Sequence, residues 1–328
     1  MKNEQSLKVG IVGAGHFGRF HALKSFQNPR EELVGLYDIS LSSCQKLADE
    51  TKCRVFHSYE ALLSSVQAVI IATPAETHFT LARQALEAGK HLLIEKPISS
   101  NLQEAQCLGT IAGEKDLIVQ IGHLLRYSAE HGAITRRIKK PLYIEATRLA
   151  PFKTRGTDVS VVLDLMIHDL DFILSLIDSP ILAIDALGAA VSSHYEDIAN
   201  ARVRFENGSV ATITASRISL KTERKMRIFA QEGYLSADFM ARHLTYVNRQ
   251  NGLPLPGSGG YRRETVSWKD HDNLAAEHEA FVASCLDGAP IIVDIEAGIR
   301  ALDAALRVTE NIHHSYDLMK QAGLLHHF

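Results

Sequence analysis

The glycine-rich segment GAGHFG, residues 13–18, constrains the fold of this chain more than any other feature. It follows a short apolar run, KVGIVG, and precedes a stretch of helical character, so Gly13, Gly15 and Gly18 have G-x-G-x-x-G spacing between strand and helix. The three glycines permit a tight turn, close approach of a pyrophosphate and close packing of helix on strand. The helix N-terminus then stabilises the anion. The segment, with His16 and Phe17 inside it, therefore predicts a dinucleotide site.

A second apolar run, LVGLYD, ends in Asp38, twenty residues after Gly18. An acid at this place accepts hydrogen bonds from the ribose hydroxyls and repels a 2′-phosphate. The residues that follow, Ile39, Ser40 and Leu41, include no cation that would hold such a phosphate. The sequence therefore favours NAD as the cofactor, with NADP less favoured.

Short apolar runs alternate with helical patterns from the glycine-rich segment to residue 121. Such alternation predicts a doubly wound parallel sheet, with ligands at the carboxyl ends of its strands. We expect an NAD-binding Rossmann domain over 1–121 and a second domain over 122–328, whose last helix packs back on the first. Further strands are predicted at 54–56, 68–72, 91–95 and 117–121, and helices at 42–51, 59–63, 77–88 and 101–114.

Lys96 follows the predicted strand 91–95, in the tripeptide EKP. A lysine at this strand end, beside the nicotinamide, would be desolvated and would face the positive ring of the oxidised cofactor. Both effects favour the uncharged amine, which can exchange a proton with an alcohol. The alternative is an ordinary surface lysine before a turn proline.

Residues 158–177 are apolar on almost every side, which is typical of a buried helix. Asp164, His168 and Asp171 interrupt this pattern at helical spacing and fall along one stripe. Ionisable groups on a buried helix are unfavourable unless they are paired or functional. The stripe therefore indicates either a catalytic group or a hydrogen-bonded His–Asp pair in the core.

Four segments in this order resemble the Gfo/Idh/MocA family of sugar and cyclitol dehydrogenases: GAGHFG, ATPAETH, AGKHLLIEKPIS and DLMIHDLD. The resemblance covers nearly the whole chain. It implies a Rossmann domain followed by an α/β domain with a large open sheet. It also implies a catalytic group of Lys96, Asp164 and His168, and cofactor contacts by Thr73, Pro74, His78, Glu95 and Lys96.

The region after residue 121 carries further candidate residues. GHLLRYS (122–128) resembles a family segment that nominates Arg126, although Tyr127 replaces a phenylalanine and no proline follows. Lys153 and Arg155 lie in the loop before the 158–177 helix. There they can hold a phosphate or carboxylate, or serve only to solubilise the loop. With Arg217 they would suit a diphosphate.

Period-two patterns between residues 181 and 248 predict a mainly antiparallel open sheet. Its free face is expected to pair with another subunit, in a homodimer or homotetramer. The basic residues of 217–227 are explained equally well by protection of an edge strand or by ligand binding.

Composition excludes several classes of protein. A net charge of -3 gives no reason to expect nucleic acid or an anionic membrane as partner. The four cysteines form no C-x-x-C pair, and no histidine pattern indicates a metal site. No apolar run reaches the roughly eighteen residues of a membrane helix, and we expect a cytoplasmic protein.

Together these features predict NAD-dependent oxidation of a secondary hydroxyl on a sugar-type substrate. Either Lys96 or His168 takes the hydroxyl proton, and the sequence leaves this open. The segments RLAPFKTRGTDVSVVLDLMIHDLD, DIANARVRFENG and TASRISLKTERKMRIF resemble a branch of the family that oxidises nucleotide sugars such as UDP-N-acetylglucosamine to 3-keto products. The alternatives are a dehydrogenase of a free aldose or inositol, and a regulatory NAD-binding protein without turnover.

Overall fold

The computed structural model describes residues 6–153, 159–269 and 271–324, in two compact units. The first unit comprises Met1–Ser128 and Asp272–Leu302, and the second comprises Ala129–His271 and Asp303–Phe328. The first unit thus runs past residue 121 and takes in a C-terminal segment. The division into domains at 121/122 stays a prediction.

A six-stranded parallel sheet forms the centre of the first unit, in the strand order β3-β2-β1-β4-β5-β6. The order reverses between β1 and β4, which is where a doubly wound sheet binds its ligand. This confirms the predicted Rossmann sheet. The strands are β1 (Leu7–Val12), β2 (Glu31–Tyr37), β3 (Arg54–Val55), β4 (Ala68–Ile71), β5 (His91–Glu95) and β6 (Val119–Gly122).

The helices of this unit begin where the sequence supplies capping residues. Ser40, Ser58 and Asn101 each accept a hydrogen bond from a backbone N–H of the first helical turn. The strands between them carry fully buried Val, Ile and Leu, as expected when helices cover a sheet. The helices are α1 (His16–Gln27), α2 (Leu41–Thr51), α3 (Tyr59–Leu63), α4 (Ala75–Glu87) and α5 (Leu102–Glu114), followed by a 3₁₀ turn, Leu124–Tyr127.

The second unit contains a nine-stranded sheet in the order β14-β15-β13-β12-β11-β7-β10-β9-β8. Only the β7–β10 pair is parallel among the described strands, which confirms the mainly antiparallel prediction. The strands are β7 (Pro141–Leu149), β8 (Ile181–Ala189), β9 (Ile198–Phe205), β10 (Val210–Ser216), β11 (Glu223–Ala230), β12 (Gly233–Asp238), β13 (His243–Asn248), β14 (Leu253–Pro254) and β15 (Arg262–Ser267).

Four further helices are described: α6 (Ala129–Arg137), α7 (Ile167–Leu176), α8 (Asn273–Asp287) and α9 (Ile295–Gln321). The stretch Val162–Met166, just before α7, is π-helical rather than α-helical. Such π turns occur mostly at functional sites. Among the described residues, no helix is both long enough and apolar enough to cross a membrane.

The strand order corrects one expectation. The basic residues of 217–227 include three on β11, which lies between β12 and β7 in the interior of the sheet. Protection of an edge strand is therefore the wrong explanation for them. Two of these cations are instead paired on the sheet surface, Arg227 with Glu145 and Lys225 with Glu223.

Candidate active site

The glycine-rich loop is shaped to admit a pyrophosphate. Gly13 has φ +100°, and an added Cβ would lie 2.5 Å from the backbone oxygen of Ala72. At Gly18 a Cβ would lie 1.8 Å from the oxygen of Gly13, so helix and loop touch directly. Gly15, by contrast, has open space around its Cβ position and precedes α1 without a side-chain cap. The free N–H groups of α1 therefore face an open cradle that suits the diphosphate of NAD.

Asp38 lies directly after β2 and fixes this loop. Its Oδ2 accepts the N–H of Ala14 at 2.6 Å, and its Oδ1 accepts the N–H of Ser40 at 2.7 Å. A carboxylate has about four acceptor positions, so two remain for ribose hydroxyls. The exposed His16 and Phe17 begin α1 beside the loop.

His78 links the two loops that follow β4 and β5. Its Nε2 lies 2.9 Å from the backbone oxygen of Thr73 and its Nδ1 lies 2.8 Å from that of Pro97. The imidazole is buried, and burial lowers the pKa of His78 although both carbonyls oppose this. The side chain thus holds the ATP and EKP segments together, whereas Thr73 and Pro74 leave part of their surface accessible.

Lys96 is half-buried directly after β5, and the Lys96–Pro97 peptide bond is cis. Its backbone N–H donates to Glu95 Oε2 at 3.3 Å, and Glu95 Oε1 lies 2.9 Å from Nε2 of the buried His21. A Cβ at Gly122 would lie 3.1 Å from Glu95 Oε2, so this glycine leaves room for the carboxylate. The sequence motifs gave no indication that His21 lies here.

In the second unit, Asp164 lies in the π-helical turn and His168 in the first turn of α7, both half-buried. Asp171, the third residue of the predicted stripe, is buried. The neighbouring Asp169 was not predicted to matter. It accepts two hydrogen bonds from Arg148 of β7, at 2.6 and 2.8 Å, in a buried pair that holds α7 against the sheet.

Arg224 lies beside this pair, since its register partner on β7 is Arg148. Burial and the Arg148 guanidinium lower the pKa of Arg224 to about 10. Its Nε is buried without a hydrogen-bond partner, whereas the Arg148 fork is occupied by Asp169. The carboxylates of Asp169 and Glu130 both act electrostatically on Arg224, while its Nε keeps an unused donor near α7.

The other predicted substrate residues have different surroundings. Arg126 lies in the 3₁₀ turn, where its Nη2 donates to the backbone oxygen of Ile292 at 3.3 Å. Lys153 is exposed, and Arg155 lies outside the described residues. Arg217 was wrongly expected to suit a diphosphate, because it is buried and its guanidinium donates to Asp197 at 2.9 Å.

Comparisons with known proteins agree with this geometry. Residues 7–123 match a family model described as an oxidoreductase family with an NAD-binding Rossmann fold, and residues 136–236 match the GFO/IDH/MocA C-terminal domain. The expected cofactor, NAD, is thereby confirmed.

A UDP-N-acetylglucosamine 3-dehydrogenase from Acidithiobacillus ferrooxidans is 41% identical over 92% of this chain and 96% of that protein. A solved structure of this enzyme from that organism superimposes with a TM-score of 0.88, covering 94% of this chain and 97% of the other. The NAD(+)-dependent scyllo-inositol 2-dehydrogenase of Bacillus subtilis is 24% identical over 94% of each chain. A scyllo-inositol dehydrogenase from Lactobacillus casei, 20% identical, shares the fold with a TM-score of 0.79 over 95% of this chain and 98% of that one.

Proposed function

Because the chain belongs to the GFO/IDH/MocA family of NAD-binding oxidoreductases, we propose that it oxidises the C3 hydroxyl of UDP-N-acetylglucosamine to a ketone. The observation that carries this proposal is the 41% identity, over nearly the full length of both chains, to an enzyme of that name. Relatives named inositol dehydrogenases are much less similar, at 24% identity for one that matches over a comparable length.

Lys96, Asp164 and His168 are the proposed catalytic group. NAD, held at the glycine-rich loop, accepts the hydride from the carbon that bears the hydroxyl. His168 or Lys96 takes the hydroxyl proton, and the other polarises the oxygen. Asp164, one turn before His168, orients the imidazole and stabilises its charged form.

Arg224 supports a substrate that carries phosphate. Its guanidinium lies on the sheet beneath α7, where burial and the Arg148 guanidinium lower its pKa to about 10 and its Nε has no hydrogen-bond partner. A diphosphate would accept charge-assisted hydrogen bonds from this group. Lys153, exposed in the loop after β7, and Arg155 are proposed to contact the same group, and Arg126 to contact the sugar. A free aldose or inositol offers no anion to these cations.

The test follows NADH formation with NAD and a panel of UDP-sugars, free sugars and inositols. We expect kcat/KM for UDP-N-acetylglucosamine to exceed that of the free sugars by at least about 100-fold. Equal rates would exclude the nucleotide-sugar assignment, and a preference for inositols would make the chain an inositol dehydrogenase. If no turnover is seen, the purified protein is assayed for tightly held cofactor that is recycled in place.

Substitutions test the catalytic group. Lys96→Ala and His168→Ala should each lower kcat about 100-fold or more while NAD affinity persists. Lys90→Ala, at the opposite end of β5, and His194→Ala, an exposed histidine, are matched controls that should keep full activity. NAD binding without turnover of any substrate in the wild type would instead identify a regulatory NAD-binding protein, and full activity of Lys96→Ala would remove Lys96 from the catalytic group.

We also propose a cytoplasmic homodimer or homotetramer that associates through the free face of the nine-stranded sheet. Tyr143, Phe229 and Tyr234 stack on one another on adjacent strands of this face. Aromatic groups of this kind are enriched at subunit interfaces. Phe229→Lys should lower the mass measured by light scattering, and an unchanged mass would place the interface elsewhere.

A further inference from the structure

Four side chains, three buried and one (Glu95) partly buried, form one continuous hydrogen-bonded chain in the first unit. Glu31 of β2 lies 2.9 Å from Nδ1 of His278 on α8. His278 Nε2 lies 3.0 Å from Nδ1 of His21 on α1, and His21 Nε2 lies 2.9 Å from Oε1 of Glu95 on β5. We refer to Glu31, His278, His21 and Glu95 as the His–Glu chain. It ends at the residue immediately before Lys96.

The number of protons in this chain follows from its geometry. An ionised carboxylate can only accept a hydrogen bond, and a neutral imidazole has one donor and one acceptor nitrogen. With Glu31 and Glu95 ionised and both rings neutral, two protons would serve three hydrogen bonds, and one acceptor would face another. Because two of the contacts are buried, the His21–Glu95 contact is partly buried, and all three are of hydrogen-bond length, the chain requires a third proton. It therefore carries a net charge of one negative unit.

The third proton can occupy more than one place. Burial lowers the pKa of His21, and although burial alone would raise it, the hydrogen bond from His21 lowers the pKa of Glu95. Both directions favour a neutral His21 that donates to Glu95 and an ionised Glu95, which leaves one proton in each of the other two contacts, His278–His21 and His278–Glu31. A shift of two protons, one from His21 Nε2 to Glu95 and one from His278 Nε2 to His21 Nδ1, produces a neutral Glu95 and leaves the negative charge on Glu31.

Three further titratable groups face the Glu95 end of the chain. Lys96 and His78 interact electrostatically with Glu95 from the loop after β5 and from α4. Glu277 on α8 is fully buried, and neither of its carboxyl oxygens has a hydrogen-bond partner. Burial, with the charge of Glu95, raises the pKa of Glu277 well above its usual range, which favours its neutral form. The charge next to Lys96 is therefore set by the His–Glu chain.

We propose that the His–Glu chain is a proton-sharing unit that positions Glu95 and adjusts the charge beside the Lys96 amine as that amine gains a proton. The proposal rests on the proposed function, in which Lys96 takes part in the oxidation. Before the reaction, the amine is neutral and the proton nearest Lys96 is shared between Glu95 Oε1 and His21 Nε2. When the amine accepts a proton, the shared proton moves fully to His21 Nε2, the His21 Nδ1 proton moves to His278 Nε2, and Glu95 becomes anionic. The chain keeps its three protons throughout. His21, His278 and Glu31 are thus positioning residues rather than catalytic ones.

His21→Gln interrupts proton sharing while keeping hydrogen bonds, because an amide donates to Glu95 and accepts from His278 but does not relay a proton. Glu95 then stays anionic, which favours the ammonium form of Lys96. We expect the rising limb of the kcat–pH profile to move about one unit to higher pH, with NAD affinity unchanged. His91→Gln is the matched control. His91 is a partly buried histidine at the start of β5 whose Nδ1 accepts the N–H of Ile118, and its substitution should leave the profile unmoved.

Glu31→Gln should have the opposite effect. It removes the negative charge from the far end of the chain, so that the neutral amine of Lys96 persists to lower pH and the limb moves downward. Glu32→Gln changes the adjacent, exposed acid on the same strand and should leave the limb in place. Limbs that stay in place in both His21→Gln and Glu31→Gln, or that move in the same direction, would overturn the proposal.

A measurement without turnover separates this inference from the proposed function. NMR of isotope-labelled histidine in the intact protein, with His21→Gln for assignment, should show three ring protons shared by His21 and His278 at neutral pH. Two ring protons with an ionised Glu95 would refute the chain even if Lys96 is essential. If Lys96→Ala keeps full activity, the proposed function fails while the proton count stands.

His21, Glu95 and Glu277 also have ligand atoms within 4.8 Å of one another. A stoichiometric metal ion that is lost in His21→Gln would therefore overturn proton sharing as well.

Discussion

Asp197 is the side chain whose loss we expect to affect the second unit most. It is fully buried at the start of β9, and its Oδ2 accepts the backbone N–H groups of Val191, Ser192 and Ser193 at 2.8, 2.6 and 2.9 Å. Its Oδ1 accepts Nε of Arg217, whose side chain is 5% exposed. One carboxylate thus organises the loop before β9 and neutralises a buried cation.

Asp197→Asn preserves the size of this side chain and removes its charge. Breaking a buried ion pair from one side costs about 3–5 kcal/mol, because the remaining charge is left uncompensated. Since total stability is about 5–15 kcal/mol, the variant should lose a large fraction of it. The loss should also reach the proposed catalytic segment, because the N–H of Val161 donates to the backbone oxygen of Glu196, next to Asp197, at 2.9 Å.

Urea unfolding measures this cost, with Asp287→Asn as the matched control. Asp287 also forms a bidentate pair with an arginine, Arg30, but it is 51% exposed, so Asp287→Asn should cost far less stability than Asp197→Asn. A loss below about 1 kcal/mol for Asp197→Asn would refute the reasoning.

The pH dependence of the free energy of unfolding is a second test. Although burial opposes them, the backbone N–H groups and Arg217 lower the pKa of Asp197 far below its usual value. Its stabilisation is therefore complete above about pH 4 and is lost as the pH falls further, so wild type and variant should converge in acid.

Two further predictions concern the cofactor. Gly15→Ala should keep the stability of the protein but lower its NAD affinity, because the added Cβ points into open space that the pyrophosphate requires. Gly18→Ala should lower both stability and NAD affinity, because its Cβ would lie 1.8 Å from the Gly13 oxygen. Thermal unfolding with and without NAD distinguishes the two variants, and equal behaviour would contradict this account. Asp38→Asn should reduce the preference for NAD over NADP by about tenfold or more, since the repulsion of a 2′-phosphate is removed. Binding isotherms with both cofactors measure the change, and an unaltered ratio would show that Asp38 serves only its hydrogen bonds to Ala14 and Ser40.

Most of the first unit was predictable from the sequence because its signals are local. A strand buried on both faces is a run of apolar residues, and glycine at position 13 is required by a positive φ. In the second sheet, β15 was missed, because the predicted strand patterns end at residue 248. Its sequence RRETVS is polar on both faces at the sheet margin, so it lacks the alternation that marks a half-buried strand.

The residues of the candidate site also divide into those that a local sequence pattern predicts and those that only tertiary contacts bring together. Gly15, Asp38 and Lys96 were identified because each follows a strand within a short motif. The Arg148–Asp169 pair, separated by twenty-one positions, and the His21–His278 contact, separated by 257, are tertiary contacts that no local pattern encodes. The π-helical turn at Val162–Met166 was likewise invisible, because the apolar pattern that predicts a helix does not distinguish its hydrogen-bonding register.

Helix α1 carries both a locally predicted feature and a tertiary contact that no local pattern encodes. Its N-terminus forms the proposed pyrophosphate cradle, and its second turn carries His21, which holds Glu95 beside Lys96. A shift of α1 on cofactor binding would therefore change the His21–Glu95 distance and, with it, the charge next to the amine. If α1 instead stays fixed, the same contact means that Lys96 is already positioned before the substrate arrives. The His21–Glu95 distance in a structure of the NAD complex decides between these outcomes, because the histidine protons respond to the charge of Lys96 as well as to the position of α1.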